Sequence, residues 1–139
     1  MRSQGYALIS LYVLGNNLDP GYISGLLGIA PSKTFKAGDS KVPGHPHSAS
    51  HARCGWVVSL EKDSNDISAG LLRLLAKFAK DQTPLGRLPG VDEAYIDVFL
   101  ANGAEDLSNV IEFDLGCEVT EAVARLELPI RFSVCNVVP

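Results

Sequence analysis

The sequence predicts an α+β domain: a mixed or antiparallel sheet with helices on one face. Three observations point there. Several short segments rich in Val, Ile, Leu, Tyr and Phe alternate with period two, as half-buried strands do. Between them lie stretches whose apolar residues recur at helical spacing. The resulting order is β-α-β-α-β-β-α-β. Its last six elements match a ferredoxin-like β-α-β-β-α-β unit, preceded by an extra strand and helix.

Each element has a local reason. Tyr6 to Leu14 is a strand dense in Leu, Ile, Val and Tyr. The N-terminal run faintly resembles a secretory signal, but Ser10 interrupts it and a first strand fits better. Asp19 can cap a short helix with Pro20 in its first turn, and Gly28 and Pro31 end it. Cys54 to Glu61 is a strand with Trp56, Val58 and Leu60 on one side. Ile67, Leu71, Leu74, Leu75 and Phe78 recur at i, i+4, i+7, i+8 and i+11, the pattern of an amphipathic helix. Residues 83–91 hold two prolines and two glycines and form a connector. Ala94 to Leu100 and Val110 to Leu115 read as two hairpin-related strands. Cys117 to Leu126 is a helix, and Pro129 leads into a last strand through Cys135.

A chain of 139 residues suits a single domain, 1–139, able to bury its own core. Charged residues at 20% and apolar residues at 46% fit an ordinary globular protein. No apolar run approaches the roughly 18 residues needed to span a bilayer. A formal charge of −4 argues against general nucleic-acid binding. Three widely spaced cysteines, Cys54, Cys117 and Cys135, do not form a disulfide framework and suit reduced thiols in the cytoplasm, with Cys135 a small packed residue.

Residues 31–53 form a long polar loop without periodicity, and connections of this length are usually functional or disordered. His45, His47 and His51 lie here with Cys54 just beyond, all chemically suited to zinc. The plainer reading is a solvated loop that contains histidines, since all four come from one short stretch. Lys33, Lys36, Lys41 and Arg53 outweigh Asp39, so an anion could be focused on Lys33, Lys36 and Arg53. Against that, lysines keep any exposed loop soluble, and no Gly-rich phosphate loop follows a strand. Lys36-Ala37-Gly38-Asp39 reads as a turn whose carboxylate fixes the root of the loop. Trp56 reads as a core anchor.

Strand alternation defines the second candidate. Asp97, Glu112, Asp114 and Arg131 would share the helix-free face with Tyr95 and Phe99, leaving a half-wet, net-acidic wall. Paired carboxylates can do acid–base work, yet alternation with apolar residues is what any half-buried sheet shows. Aromatics on an open face often anchor contacts, which favours Tyr95, Asp97, Phe99, Glu112, Asp114 and Arg131 as a partner surface.

In order along the chain, Leu18-Asp19-Pro20, Leu27-Gly28-Ile29-Ala30-Pro31, Lys36-Ala37-Gly38-Asp39, Trp56 and the leucine-rich stretch Leu71 to Leu75 form a set. In that set the chain resembles the bacterial family catalogued as domain of unknown function 4279, over nearly its whole length. The resemblance implies a small bacterial α+β domain and brings no activity, cofactor or catalytic residue. The chain finishes in Asn136-Val137-Val138-Pro139 rather than an Ile-Tyr-like close, a departure at the edge of the last strand.

No nucleophile elbow, Walker motif, dinucleotide fingerprint or His-Glu-x-x-His is present. The sequence therefore favours a non-enzymatic module without a cofactor. It would bind a protein partner, or itself, through the open acidic and aromatic face; an immunity-type protein that neutralises a basic toxin is the concrete form. The alternative is a small-ligand, anion or metal site, or an enzyme, built from the His- and Lys-rich loop 33–54.

Overall fold

The computed structural model describes residues 6–42, 44, 48–63, 67–78, 83–102 and 113–136. Five strands form one mixed sheet: β1 (Tyr6–Gly15), β2 (Lys33–Phe35), β3 (Cys54–Asp63), β4 (Glu93–Asn102) and β5 (Ile130–Asn136). Three helices accompany them: α1 (Pro20–Leu27), α2 (Ile67–Ala76) and α3 (Cys117–Arg125). The α+β class read from the sequence is the class observed.

The strand order is β2-β3-β1-β4-β5. β1 sits in the middle, antiparallel to β3 on one side and to β4 on the other. β3 and β4 therefore run in the same direction, and β3-α2-β4 is a split β-α-β unit with β1 threaded between its strands. β5 is parallel to β4, joined to it through α3. This differs from the expected topology. The sequence pattern makes the first strand an extension of a ferredoxin-like unit, whereas it is the centre of the sheet. The expected hairpin between 94–100 and 110–115 is not part of this sheet, because β1 and β5 take both edges of β4. Residues 113–115 lie outside any strand and lead into α3, and 110–112 lie outside the described residues.

The two faces follow from the pleat. Ala7, Ile9, Leu11 and Val13 of β1 align in register with Trp56 and Val58 of β3 and with Ala94, Ile96, Val98 and Leu100 of β4. These side chains form one buried cluster with Ile23 of α1, Ile67, Leu71, Leu74 and Leu75 of α2, and Val119 of α3. Each fully buried Leu or Ile contributes about 1.5–3 kcal/mol relative to exposure. Trp56 is fully buried, as expected of an anchor, and its indole Nε1–H donates to Ser24 Oγ at 2.9 Å. No described helix packs on the opposite face.

The capping chemistry is as the sequence indicates. Asp19 Oδ1 accepts from the backbone N–H of Gly21 and Tyr22 at 3.1 and 3.3 Å, and Pro20 occupies the first turn. Gly28 closes α1 at φ 67°, a conformation that suits a residue without Cβ. Cys135 departs from expectation: it is exposed on β5 rather than packed, since β5 is an edge strand.

Loop 31–53 contains structure that its composition conceals. Lys33–Phe35 pairs antiparallel with β3. Beyond it the chain turns and returns as a narrow ribbon: Gly38 N–H donates to His51 O, His51 N–H to Asp39 O, and Lys41 N–H to Ala49 O, all at 2.8 Å. The Asp39 carboxylate accepts from the Lys36 amide at 2.9 Å, so this turn does fix the root of the loop. The ribbon folds back over the helix-free face.

Two glycines allow the close approaches on which this arrangement rests. A Cβ on Gly15 would lie 2.0 Å from the Gly90 carbonyl oxygen, and one on Gly55 would lie 2.1 Å from the Phe35 ring. Backbone cannot swing aside, whereas a ring can. Gly15→Ala is expected to cost about 3 kcal/mol, and Gly55→Ala only ~1 kcal/mol because Phe35 leaves its place. Urea unfolding of the two variants checks the order. A Gly55→Ala loss that persists when Phe35→Ala is added would contradict the assigned contact.

Candidate functional site

The site grows from residues of alternate parity on the strands. On β1 these are Leu8, Ser10, Tyr12 and Leu14, whose neighbours in register are Val57 and Ser59 of β3 and Glu93, Tyr95, Asp97 and Phe99 of β4. Lys33 and Phe35 of β2 pair with Val57 and Gly55 and join the same side. Arg131 of β5 pairs with Asp97 and joins it from the other edge.

Where the ribbon crosses this face it closes a concavity of about 330 Å³, near the small end of the ~300–1,000 Å³ range of ligand pockets. Its floor and one wall are Tyr12, Leu14 and Tyr95. The opposite wall is Lys33, Phe35, Lys41, His51 and Arg53. Two ring stacks border it. Tyr12 and Tyr95 are 5.2 Å apart between centroids and within 8° of parallel, and the Arg131 guanidinium lies 3.9 Å over the Tyr95 ring. Phe35 lies over Gly55, and His51 is stacked on Phe35 at 3.7 Å and 14°.

The charges are tied together by Glu93. Its Oε1 accepts from Arg53 at 2.9 Å and its Oε2 from Arg131 at 3.0 Å, so one carboxylate spans two arginines from opposite ends of the face. Both pairs are part-exposed, and their value is orientation more than stability. Partial burial lowers the His51 pKa from its ordinary value, helped by the positive charges of Lys41 and Lys33 and opposed by Asp39. Burial raises the pKa of both tyrosines; Tyr95 and Asp97 add to the effect at Tyr12, and Arg131 opposes it most at Tyr95. Burial also raises the Asp97 pKa, against the opposing pull of Arg131.

Of the partner-surface residues read from sequence, Tyr95, Asp97, Phe99 and Arg131 are brought together on the helix-free face. Asp114 is not: it is exposed on the approach to α3, where Phe113 packs on Phe132 at 5.6 Å. Glu112 lies outside the described residues. Among the described residues this face and the ribbon set Lys33, Lys41, Arg53 and Arg131 against Glu61, Glu93 and Asp97, so they do not form the net-acidic wall that alternation implied. The physical reason is strand order, which brings in β2 and the ribbon with their lysines.

Of the anion-binding residues, Lys33 and Arg53 line the concavity, and Lys36 does not. Of the metal candidates, His45 and His47 lie outside the described residues. His51 stacks on the helix-free side, whereas Cys54 packs toward the helix-side core, its thiol directed at the Asn16 carbonyl oxygen 3.8 Å away. Among the described residues no three His, Cys, Asp or Glu side chains gather as a metal site. Sequence reasoning missed Tyr12, Leu14, Phe35 and Ala52 as lining residues, and it counted Lys41 only among the positive charges of the loop. The signal for Tyr12 was present, since it stands on the parity opposite Leu11 and Val13.

The fold and site define a small α+β domain with one sheet face covered by helices and the other free of described helices. The chain belongs to the family described as Domain of unknown function (DUF4279), whose profile matches residues 4–136. No curated protein and no solved structure matches the chain. No described helix is long and apolar enough to cross a membrane.

A raised folded-state pKa means that folded Asp97 prefers its proton more than the unfolded chain does. Its charge therefore costs stability above that pKa, and acidification through it recovers the loss. Asp97→Asn is expected to stabilise the domain at pH 7 by less than ~0.5 kcal/mol, since solvent screens this half-exposed group, and the gain should shrink as pH falls toward about 4. Urea midpoints at both pH values check this. A lower midpoint for the variant at pH 7 would contradict it.

Proposed function

We propose that this domain binds an anionic ligand in the concavity between the ribbon and the helix-free face. The observation that carries the reading is convergence. Lys33 from β2, Lys41 from the ribbon and Arg53 at the mouth of β3 reach one cavity from three separated places. Cations placed together repel one another, and an anion between them relieves that repulsion. The low-dielectric walls supplied by Phe35, Leu14 and Tyr12 strengthen the attraction. The Arg53 fork retains donors beyond the one held by Glu93, because a guanidinium carries five.

The test is titration with sulfate followed by amide chemical shifts. Wild type should show shifts clustered at residues 33, 41 and 51–53. Lys33→Glu with Lys41→Glu should weaken binding at least tenfold, and Glu93→Gln should tighten it several-fold by removing a competing carboxylate. Unchanged affinity in the double variant would remove the reading.

A second reading is a protein partner or second copy seated on the helix-free face at Tyr95, Asp97, Phe99 and Arg131. It is favoured by Tyr6, 44% exposed with its ring 6.5 Å from that of Phe99, which extends the aromatic surface away from the concavity. The immunity-type form, against a basic toxin, is less well served, since both Glu93 oxygens are already engaged by arginines. Light scattering of wild type and a Tyr6→Ser, Phe99→Ser variant tests self-association. Identical monomer masses across the concentration range would set that form aside.

A further inference from the structure

Resting on the anion-binding reading, we infer that the ligand is a flat aromatic ring bearing an anionic group, with its ring against Tyr12 and its charge at Lys33, Lys41 and Arg53. The basis is a run of stacked groups, two of them parallel rings, that reaches the cavity. Arg131 lies on Tyr95 at 3.9 Å, and Tyr95 lies on Tyr12 within 8° of parallel. Both faces of Tyr95 are thus occupied. Tyr12 has a ring, that of Tyr95, on one side and the aliphatic Val57 as its register neighbour on the other, and it borders the concavity. The register explains the direction: across this row of the sheet the order is Lys33, Val57, Tyr12, Tyr95, so the short side chain of Val57 separates Tyr12 from Lys33, and both of these border the concavity.

Size and polarity agree with such an occupant. A bare inorganic anion would satisfy the cations and leave the aromatic surface wet. A neutral ring would use the surface and leave the cations facing each other. A cavity of about 330 Å³ accommodates both parts of one small molecule. Stacking of a base or ring on an aromatic side chain is worth ~1–3 kcal/mol, which corresponds to about 5- to 150-fold in affinity. Offset stacking also tolerates different rings, so the geometry specifies a class of ligand, the aryl phosphates and nucleoside monophosphates included, through shared chemistry.

The experiment compares inorganic phosphate, phenyl phosphate, adenosine monophosphate and phenol by calorimetry on the full chain. The expected result is that phenyl phosphate and adenosine monophosphate bind at least tenfold more tightly than inorganic phosphate, and that phenol does not bind measurably. Tyr12→Leu, which keeps an apolar strand residue, should erase the preference and leave inorganic phosphate binding in place. Tyr12→Phe should preserve it, which guards against a trivial folding defect. Equal affinity for phosphate and its aryl esters, or a preference that survives Tyr12→Leu, overturns this inference while the anion-binding reading stands. Failure of all four probes overturns both.

Discussion

The arrangement depends on the register of β1. This strand is paired with β3 along its whole length and with β4 from Tyr6 to Leu14, so its pleat sets the side of every residue aligned with it in β3 and β4. A slip of one residue would exchange the two faces. Ile9, Leu11 and Val13 would then meet solvent, and Ser10, Tyr12 and Leu14 would meet the helices. The hydrophobic penalty for that exchange fixes the register, and the same register places Tyr12 between Tyr95 and Val57, with Lys33 beyond Val57. Core and site are two consequences of one alternation.

Charge on the helix-free face is organised around Glu93. Without Glu93 between them, Arg53 and Arg131 would each lose the ion pair that orients it. With it, the two guanidinium groups are oriented, one toward the cavity and one across the tyrosine stack. Among the described residues, this arrangement leaves Lys33 and Lys41 as the cavity cations that make no ion pair, while Asp39 is committed to the Lys36 amide at the turn. The negative formal charge of the chain, −4, therefore coexists with a local positive field, because the lysines of one segment are gathered while the carboxylates are dispersed.

Elements were legible in the sequence where local chemistry determines them. Asp19-Pro20 and Gly28 bound α1, Leu71 to Leu75 mark α2, and Trp56 announces a buried strand. Neighbours were not legible, because strand pairing is set by packing between segments distant in sequence. Nothing in Tyr6–Gly15 alone says that it is central, and nothing in Ile130–Asn136 says that it runs parallel to β4 and closes the edge that a hairpin would have used. Of the candidate site, Lys33, Arg53, Tyr95 and Arg131 were visible as charges and alternating aromatics. Lys33-Thr34-Phe35 was hidden by length, since three residues cannot display a period, although Thr and Phe both favour strands. Tyr12 was hidden by company: in a run of apolar residues it reads as one more core side chain until the pleat sorts it to the other face.

The ribbon joins two demands that physical chemistry usually separates. An edge strand exposes unpaired backbone groups and invites association, so proteins cover or interrupt it. Here β2 covers the edge of β3 for three residues, and Ser32 continues the cover with its hydroxyl accepting from the Ser59 amide at 2.9 Å. The segment that protects the edge also carries Lys33, Phe35, Lys41 and His51 to the cavity. β2 is attached by its backbone pairing with β3, and the Phe35 ring, seated over Gly55, in turn carries the returning arm of the ribbon through the stacked His51. A ligand that bridges the ribbon lysines and the β1–β4 tyrosines would add a further attachment, so its binding free energy would appear as protection of the ribbon amides against exchange. Edge protection and ligand recognition are then coupled through the same ring, and loosening Phe35 would weaken both together.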